Sequence, residues 1–160
     1  MEDPLGELDG PTRVQHALDL AYRHLAKRDR TEVEVRRHLA GRGVEEPTIG
    51  HAIRALEEQG YLDDARYARR FTEDRRTLDA WGAERIEQRL LSVGVAPEVV
   101  AGALAAQPPT AELDAAVELL RRRFPQPPAD DRERNRALGL LVRRGYELDL
   151  AHDAIRALTR

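Results

Sequence analysis

The chain has 160 residues, enough for one or two domains with a modest core, and combines 41% hydrophobic with 34% charged residues. It has no cysteine, which excludes disulfides and thiolate metal sites, and its apolar runs fall short of a membrane span. Net charge is −3, yet Glu2, Asp3, Glu7 and Asp9 crowd the start, and of the 26 basic residues only Lys27 is a lysine. The remainder of the chain is therefore near neutral, with its positive charge carried by arginine.

Residues 1–11 are acidic and contain Pro and Gly without an aliphatic pattern, and are expected to form a disordered tail. A first helix is expected from Thr12 to Arg28, burying Val14, Leu18, Ala21 and Leu25 at helical spacing. Thr31 followed by Glu34 makes a capping box for a second helix, which runs to Arg42 and ends at Gly43. Pro47 suits the first turn of a third helix carrying Ile49, Ala52, Ile53 and Leu56, and Gly60 stops it. Asp63 or Asp64 can cap a fourth helix bearing Tyr67, Ala68, Phe71 and Leu78. Helices near 83–93 and 97–106 follow, with Gly82 at the cap position and Gly94 between them. A seventh helix near 110–124 carries Leu113, Val117, Leu120 and Phe124; after a Pro-rich linker at 125–128 come helices near 130–144 and 147–159.

This order repeats. Gly43, Gly94 and Gly145 lie 51 residues apart, each followed by an apolar residue, and Leu39, Leu90 and Leu141 precede them by four. A period on this scale marks tandem supersecondary units. The expected fold is all-α, an elongated tandem array of three three-helix modules with about nine helices. Its divisions are the tail at 1–11 and modules at 12–62, 63–107 and 108–160. Such arrays bind along extended surfaces, which points to a long partner more than to a catalytic pocket.

Candidates for chemistry are few. The five histidines form no His-x-x-x-His pair, a single serine (Ser92) is present, and no glycine-rich phosphate loop occurs. No enzyme, metal or cofactor is expected. The arginines pair at helical spacing instead: Arg66 with Arg70, Arg85 with Arg89, and Arg132 with Arg136, with added density at 121–123 and 143–144. Single pairs are ordinary solvated faces, but pairs recurring in stacked modules can line up against a phosphate backbone or an acidic filament.

Several segments resemble the RecX family, bacterial regulatory proteins of the RecA recombinase. They are Ala17 to Leu39, the run Gly60-Tyr61-Leu62-Asp63-Asp64-Ala65-Arg66-Tyr67-Ala68 continuing to Arg75, Gly82 to Ile86 with Leu90 and Gly94-Val95, and Leu140 to Tyr146. The resemblance covers about residues 13–160. It implies a cytoplasmic, monomeric protein that binds RecA and its filament on single-stranded DNA. It also implies inhibition or modulation of RecA's recombinase, ATPase and co-protease activities by groove occupancy or capping. Arginines within the matched segments are the binding candidates: Arg28, Arg30, Arg36, Arg37, Arg66, Arg70, Arg75, Arg85, Arg89, Arg143 and Arg144. Gly139 and Leu140 depart from the family, which often has a basic residue and an aromatic there. The alternative is a helical-repeat DNA-binding protein of low sequence specificity; weak direct DNA contact is compatible with either reading.

Overall fold

The computed structural model describes residues 10–160, and the acidic tail lies almost wholly outside the described residues. The described residues form nine α-helices and no strand. They are α1 (Gly10–Leu25), α2 (Glu32–Gly41), α3 (Glu46–Glu58), α4 (Asp64–Asp79), α5 (Ala83–Ser92), α6 (Pro97–Ala105), α7 (Ala111–Arg123), α8 (Asp131–Arg143) and α9 (Leu148–Leu158). The expected helices therefore all form. The first begins two residues early, because Pro11 sits in its first turn, where a missing N–H costs no hydrogen bond. It ends early as well: Lys27 N–H turns back to His24, a tightened three-residue closure.

Two compact units emerge among the described residues, one of residues 10–67 with Val93–Val95, the other of Ala68–Ser92 with Ala96–Arg160. In the first, α1, α2 and α3 pack mutually around Ala17, Ala21, Val35, Leu39, Ile49, Ile53 and Leu56. In the second, α7 and α8 both pack on α9 around Ala116, Leu120, Ala137, Leu141, Tyr146 and Ala154, while α5 packs on α6. The buried stripe keeps register between triplets. Ala17, Ala68 and Ala116 are each fully buried in α1, α4 and α7, as are Ala21, Thr72 and Leu120 four residues later.

One turn further along that stripe stand Leu25, Arg76 and Phe124. Arg76 thus occupies an apolar register position and is only 8% exposed, with its Nε unpartnered. Leu78 faces outward instead, at 68% exposure, because it falls off the stripe.

The glycines behave as their period predicts. Gly43, Gly94 and Gly145 have φ of +82°, +90° and +94°, the left-handed region that ends a helix without a Cβ penalty. Thr31 and Glu34 form the expected capping box on α2. The two aspartates divide their work: Asp63 accepts the Arg66 N–H and caps α4, whereas Asp64 accepts the Glu32 N–H at the start of α2, both at 3.0 Å.

A joint built on these features occurs twice. Within the first unit, the buried Thr31 hydroxyl donates to the Val93 carbonyl at 2.6 Å, and Gly94 lies against Val33. Within the second, the Gly82 N–H donates to the Arg144 carbonyl at 2.8 Å across the same 62-residue separation, and Gly145 lies against Arg85. The second joint also has its own counterpart of Asp64, since Glu112 accepts the Ala83 N–H at 2.8 Å.

Candidate interaction surface

The candidate arginines fall into two groups by what holds their guanidinium groups. Arg28 donates to Glu34 at 2.8 Å and to the Asp29 carbonyl, so it buttresses the α2 capping box. Its ion pair and the Thr31 N–H hold the Glu34 carboxyl below the usual range despite partial burial, the largest opposing effect. Arg36 bridges Glu32 and Glu46 at 3.3 Å each. Arg66 donates to the Gly60 carbonyl at 2.7 Å, and Arg144 ties its Nη1 to the Asp79 carbonyl. These four have internal duties. Arg37 and Arg70 are exposed, while Arg30 is half-buried beside Arg66, Tyr61 and Tyr67 with its Nε unpartnered.

The second group lines grooves. Between α4 and α5 an open groove of about 490 Å³ is lined by Phe71, Arg75, Trp81, Arg85, Gln88 and Arg89. Arg85 lies over the Trp81 ring at 4.1 Å, and Arg75 sits near both rings, 5.8 Å from Phe71 and 5.9 Å from Trp81. Between α7 and α8 a groove of about 740 Å³ is lined by Arg123, Phe124, Arg132, Asn135, Arg136, Leu140 and Arg143. Arg136 approaches the Phe124 ring at 6.0 Å. Neither lining includes a carboxylate, although Arg75 in the first also donates to Asp79 at 2.5 Å.

The two grooves are built alike. Arg75 and Arg123 hold the same position on the first helix of each triplet, seven residues after Ala68 and Ala116, and Arg85 and Arg136 are 51 residues apart on the second. Candidates Arg75, Arg85 and Arg89 thus come together in one groove, and Arg143 joins the other. Reasoning from sequence missed the aromatic members Phe71, Trp81 and Phe124, and set aside Arg123, Arg132 and Arg136 because they lay outside the family-like segments. The signal that finds them is the repeat itself, which carries Arg85 onto Arg136.

The corresponding face of the first triplet is different. At the positions of Arg75 and Arg89 stand His24 and His38, whose rings stack 3.8 Å apart and nearly parallel. Burial lowers both imidazole pKa values, helped for His24 by His38, Arg30 and Arg28, and for His38 by Arg42, Lys27 and Arg30. Glu34 stands at the Arg85 position and is taken up by Arg28. Guanidinium groups beside aromatic faces hold anions and planar groups, so the two grooves of the second unit are equipped for binding. Among the described residues no cluster of three or more His, Cys, Asp or Glu could hold a metal, and no helix is long and apolar enough to cross a membrane.

Comparison with known proteins agrees with this architecture throughout. The first, second and third three-helix domains of RecX match residues 17–56, 63–104 and 110–155. The regulatory protein RecX of Leptothrix cholodnii is 37% identical over 85% of this chain and 85% of its own length. That of Mycobacterium sp. (strain JLS) is 31% identical over 91% of this chain and 82% of its own. Among solved structures, RecX from Lactobacillus salivarius superposes with a TM-score of 0.83 at 20% identity, covering 93% of this chain and 98% of that one. With three tandem domains matched in order and close relatives across nearly its whole length, the chain belongs to the RecX family of regulatory proteins.

Proposed function

We propose that this protein binds the RecA recombinase and its filament on single-stranded DNA, and restrains RecA's ATPase, strand-exchange and co-protease activities by occupying the filament surface. The observation that carries this reading is the pair of register-equivalent arginine–aromatic grooves, whose linings hold seven arginines and no acid. Two similar sites repeated along one chain suit a partner that itself repeats, as a filament does. The protein acts by binding, as a cytoplasmic monomer.

Titrating it into RecA's single-strand-dependent ATPase tests the proposal. Inhibition well below one protein per RecA supports capping or cooperative disassembly, and inhibition near equal amounts supports groove occupancy. No change in hydrolysis at saturation overturns the reading. A second reading, direct low-specificity binding of single-stranded nucleic acid, is favoured by Trp81 and Phe124 lying among the arginines, since bases stack on aromatics while guanidinium groups meet phosphates. Equal affinity for bare and RecA-coated strands would favour that alternative.

A further inference from the structure

Arg76 breaks the pattern of its helix. The equivalent positions of the other two triplets hold Leu25 and Phe124, which pack against their own cores. Packing at this register therefore calls for an apolar side chain, and a buried guanidinium is costly there unless something compensates its charge. Arg76 is only 8% exposed, yet it makes no hydrogen bond or ion pair among the described residues, and its buried Nε has no partner. Glu73, three residues earlier on α4, is exposed and does not bridge to it. The last turn of α4 suits a cation, but no carbonyl of that turn takes the Arg76 N–H groups. Its charge reaches the Tyr146 hydroxyl, which already donates to the Ala80 carbonyl.

Arg76 lines an open cavity of about 530 Å³ between α4 and α7, which shares no residue with either arginine–aromatic groove. Arg76 and Ala80 are its buried members, and Ala111 and Ala115 are short, half-buried residues that leave room beside them. Its exposed members include Glu73, Asp114, Glu118 and Arg122. A cation at depth inside a mainly acidic rim selects its occupant by charge. The occupant needs an anion that reaches Arg76 and cations close behind it for the three carboxylates. A phosphate backbone offers the first without the second, and meets the rim as like charge.

We propose that this cavity takes an Asp or Glu side chain of RecA, one with basic residues beside it on the same segment. The carboxylate meets Arg76 and supplies the partner that the fold withholds, and a guanidinium fork matches a carboxylate in shape as well as charge. The basic neighbours meet Glu73, Asp114 and Glu118 at the rim. The chemistry of the two arginine–aromatic grooves suits protein and nucleic acid alike. This third site discriminates between them, because only a protein segment carries both charges at side-chain spacing.

This inference rests on the RecA reading, and the experiment separates the two. Arg76→Met removes the charge and keeps an unbranched side chain at an apolar register position, while Glu73→Lys with Glu118→Lys reverses two exposed rim charges. The readouts are the concentration giving half-inhibition of RecA's single-strand-dependent ATPase, affinity for a bare single-stranded oligonucleotide, far-UV circular dichroism and melting. Arg76→Met is expected to raise the half-inhibition concentration about tenfold, with native helicity and a melting temperature at or above the wild type's. Its affinity for the oligonucleotide should stay unchanged. The double reversal is expected to raise the half-inhibition concentration several-fold, and it decides alone if Arg76→Met loses helicity. Inhibition by a folded Arg76→Met at the wild-type concentration, or by the double reversal in the deciding case, overturns the site and leaves the RecA reading standing. A folded Arg76→Met that melts well below the wild type shows that the fold itself uses the charge, and overturns the site as well. Oligonucleotide binding that weakens in step with inhibition makes the occupant a phosphate and overturns the carboxylate assignment. A wild-type protein without effect on RecA overturns both readings.

Discussion

Gly43, Gly94 and Gly145 share a period and a backbone conformation but carry different burdens. At Gly43 the only demand is positive φ, so Gly43→Ala should cost the strain of a left-handed alanine, about 1–2 kcal/mol. At Gly145 an added Cβ also runs into the Arg85 backbone nitrogen at 2.5 Å, which cannot rotate away. Gly145→Ala should therefore cost about 3 kcal/mol or more, the strain plus an overpacking term. Urea denaturation midpoints of the two variants test the ordering, and equal midpoints would remove the joint from the energetics. Tyr146, the residue after Gly145, is 1% exposed and donates to the Ala80 carbonyl at 2.8 Å, and burial pushes its pKa up to about 12. Tyr146→Phe should destabilise by about 1 kcal/mol, the net worth of a typical hydrogen bond plus part of an orphaned carbonyl. The glycines were legible in the sequence as helix ends because their reason is local. Their closeness to Val33 and Arg85 was not, since those neighbours lie about sixty residues away and no local pattern names them.

Helix boundaries were legible for the same reason that the joints were not: caps and breakers act within a few residues. The Thr31–Glu34 box and Pro47 and Pro97 near helix starts announce α2, α3 and α6 from side-chain chemistry alone. Asp63 and Asp64 look interchangeable as caps for α4, yet only tertiary structure sends Asp64 to α2. Burial raises the Asp64 pKa, so its charge is disfavoured in place, while its oxygen is needed as an acceptor. Asp64→Asn should consequently cost less stability at neutral pH than Asp64→Ala, as melting of the two variants would reveal. Between α1 and α2, the stacked His24 and His38 give the first unit a pH response. Both pKa values are lowered from 6.5 in the folded chain, so the unfolded chain binds more protons once pH falls below about 6.5. The stability they provide is complete above that pH and is lost as pH descends through the folded values. Melting temperature should fall from pH 7 toward 5.5, and His24→Gln with His38→Gln should flatten that fall. An unaltered slope in the double variant would assign the pH response to other groups.

At the scale of the molecule, the candidate site was legible as a composition and illegible as a set of places. Eleven arginines in family-like segments look equivalent in sequence, whereas folding commits Arg28, Arg36, Arg66, Arg75 and Arg144 to internal partners and leaves Arg85, Arg89 and Arg143 along grooves. Pairing depends on which carboxylate or carbonyl the fold brings near, and spacing along a helix does not encode that. The division predicts opposite phenotypes. Arg66→Glu should lower stability, because it loses the bond to the Gly60 carbonyl and sets a negative charge near the C-terminal end of α3. Arg85→Ala with Arg89→Ala should leave the melting temperature nearly unchanged, since both side chains are exposed, and should weaken RecA-filament binding about tenfold, or ~1.4 kcal/mol. Arg132→Ala with Arg136→Ala should do the same from the second groove. If both grooves meet the same filament, the two losses add when the pairs are combined, as expected for separate contacts. Binding measured at rising salt sharpens the comparison, because contacts made by exposed guanidinium groups are screened and the groove variants should have less left to lose. A pair that leaves binding at the wild-type level, with the combined variant no weaker than the other pair alone, would mean that one groove does the binding and the other is its unused copy.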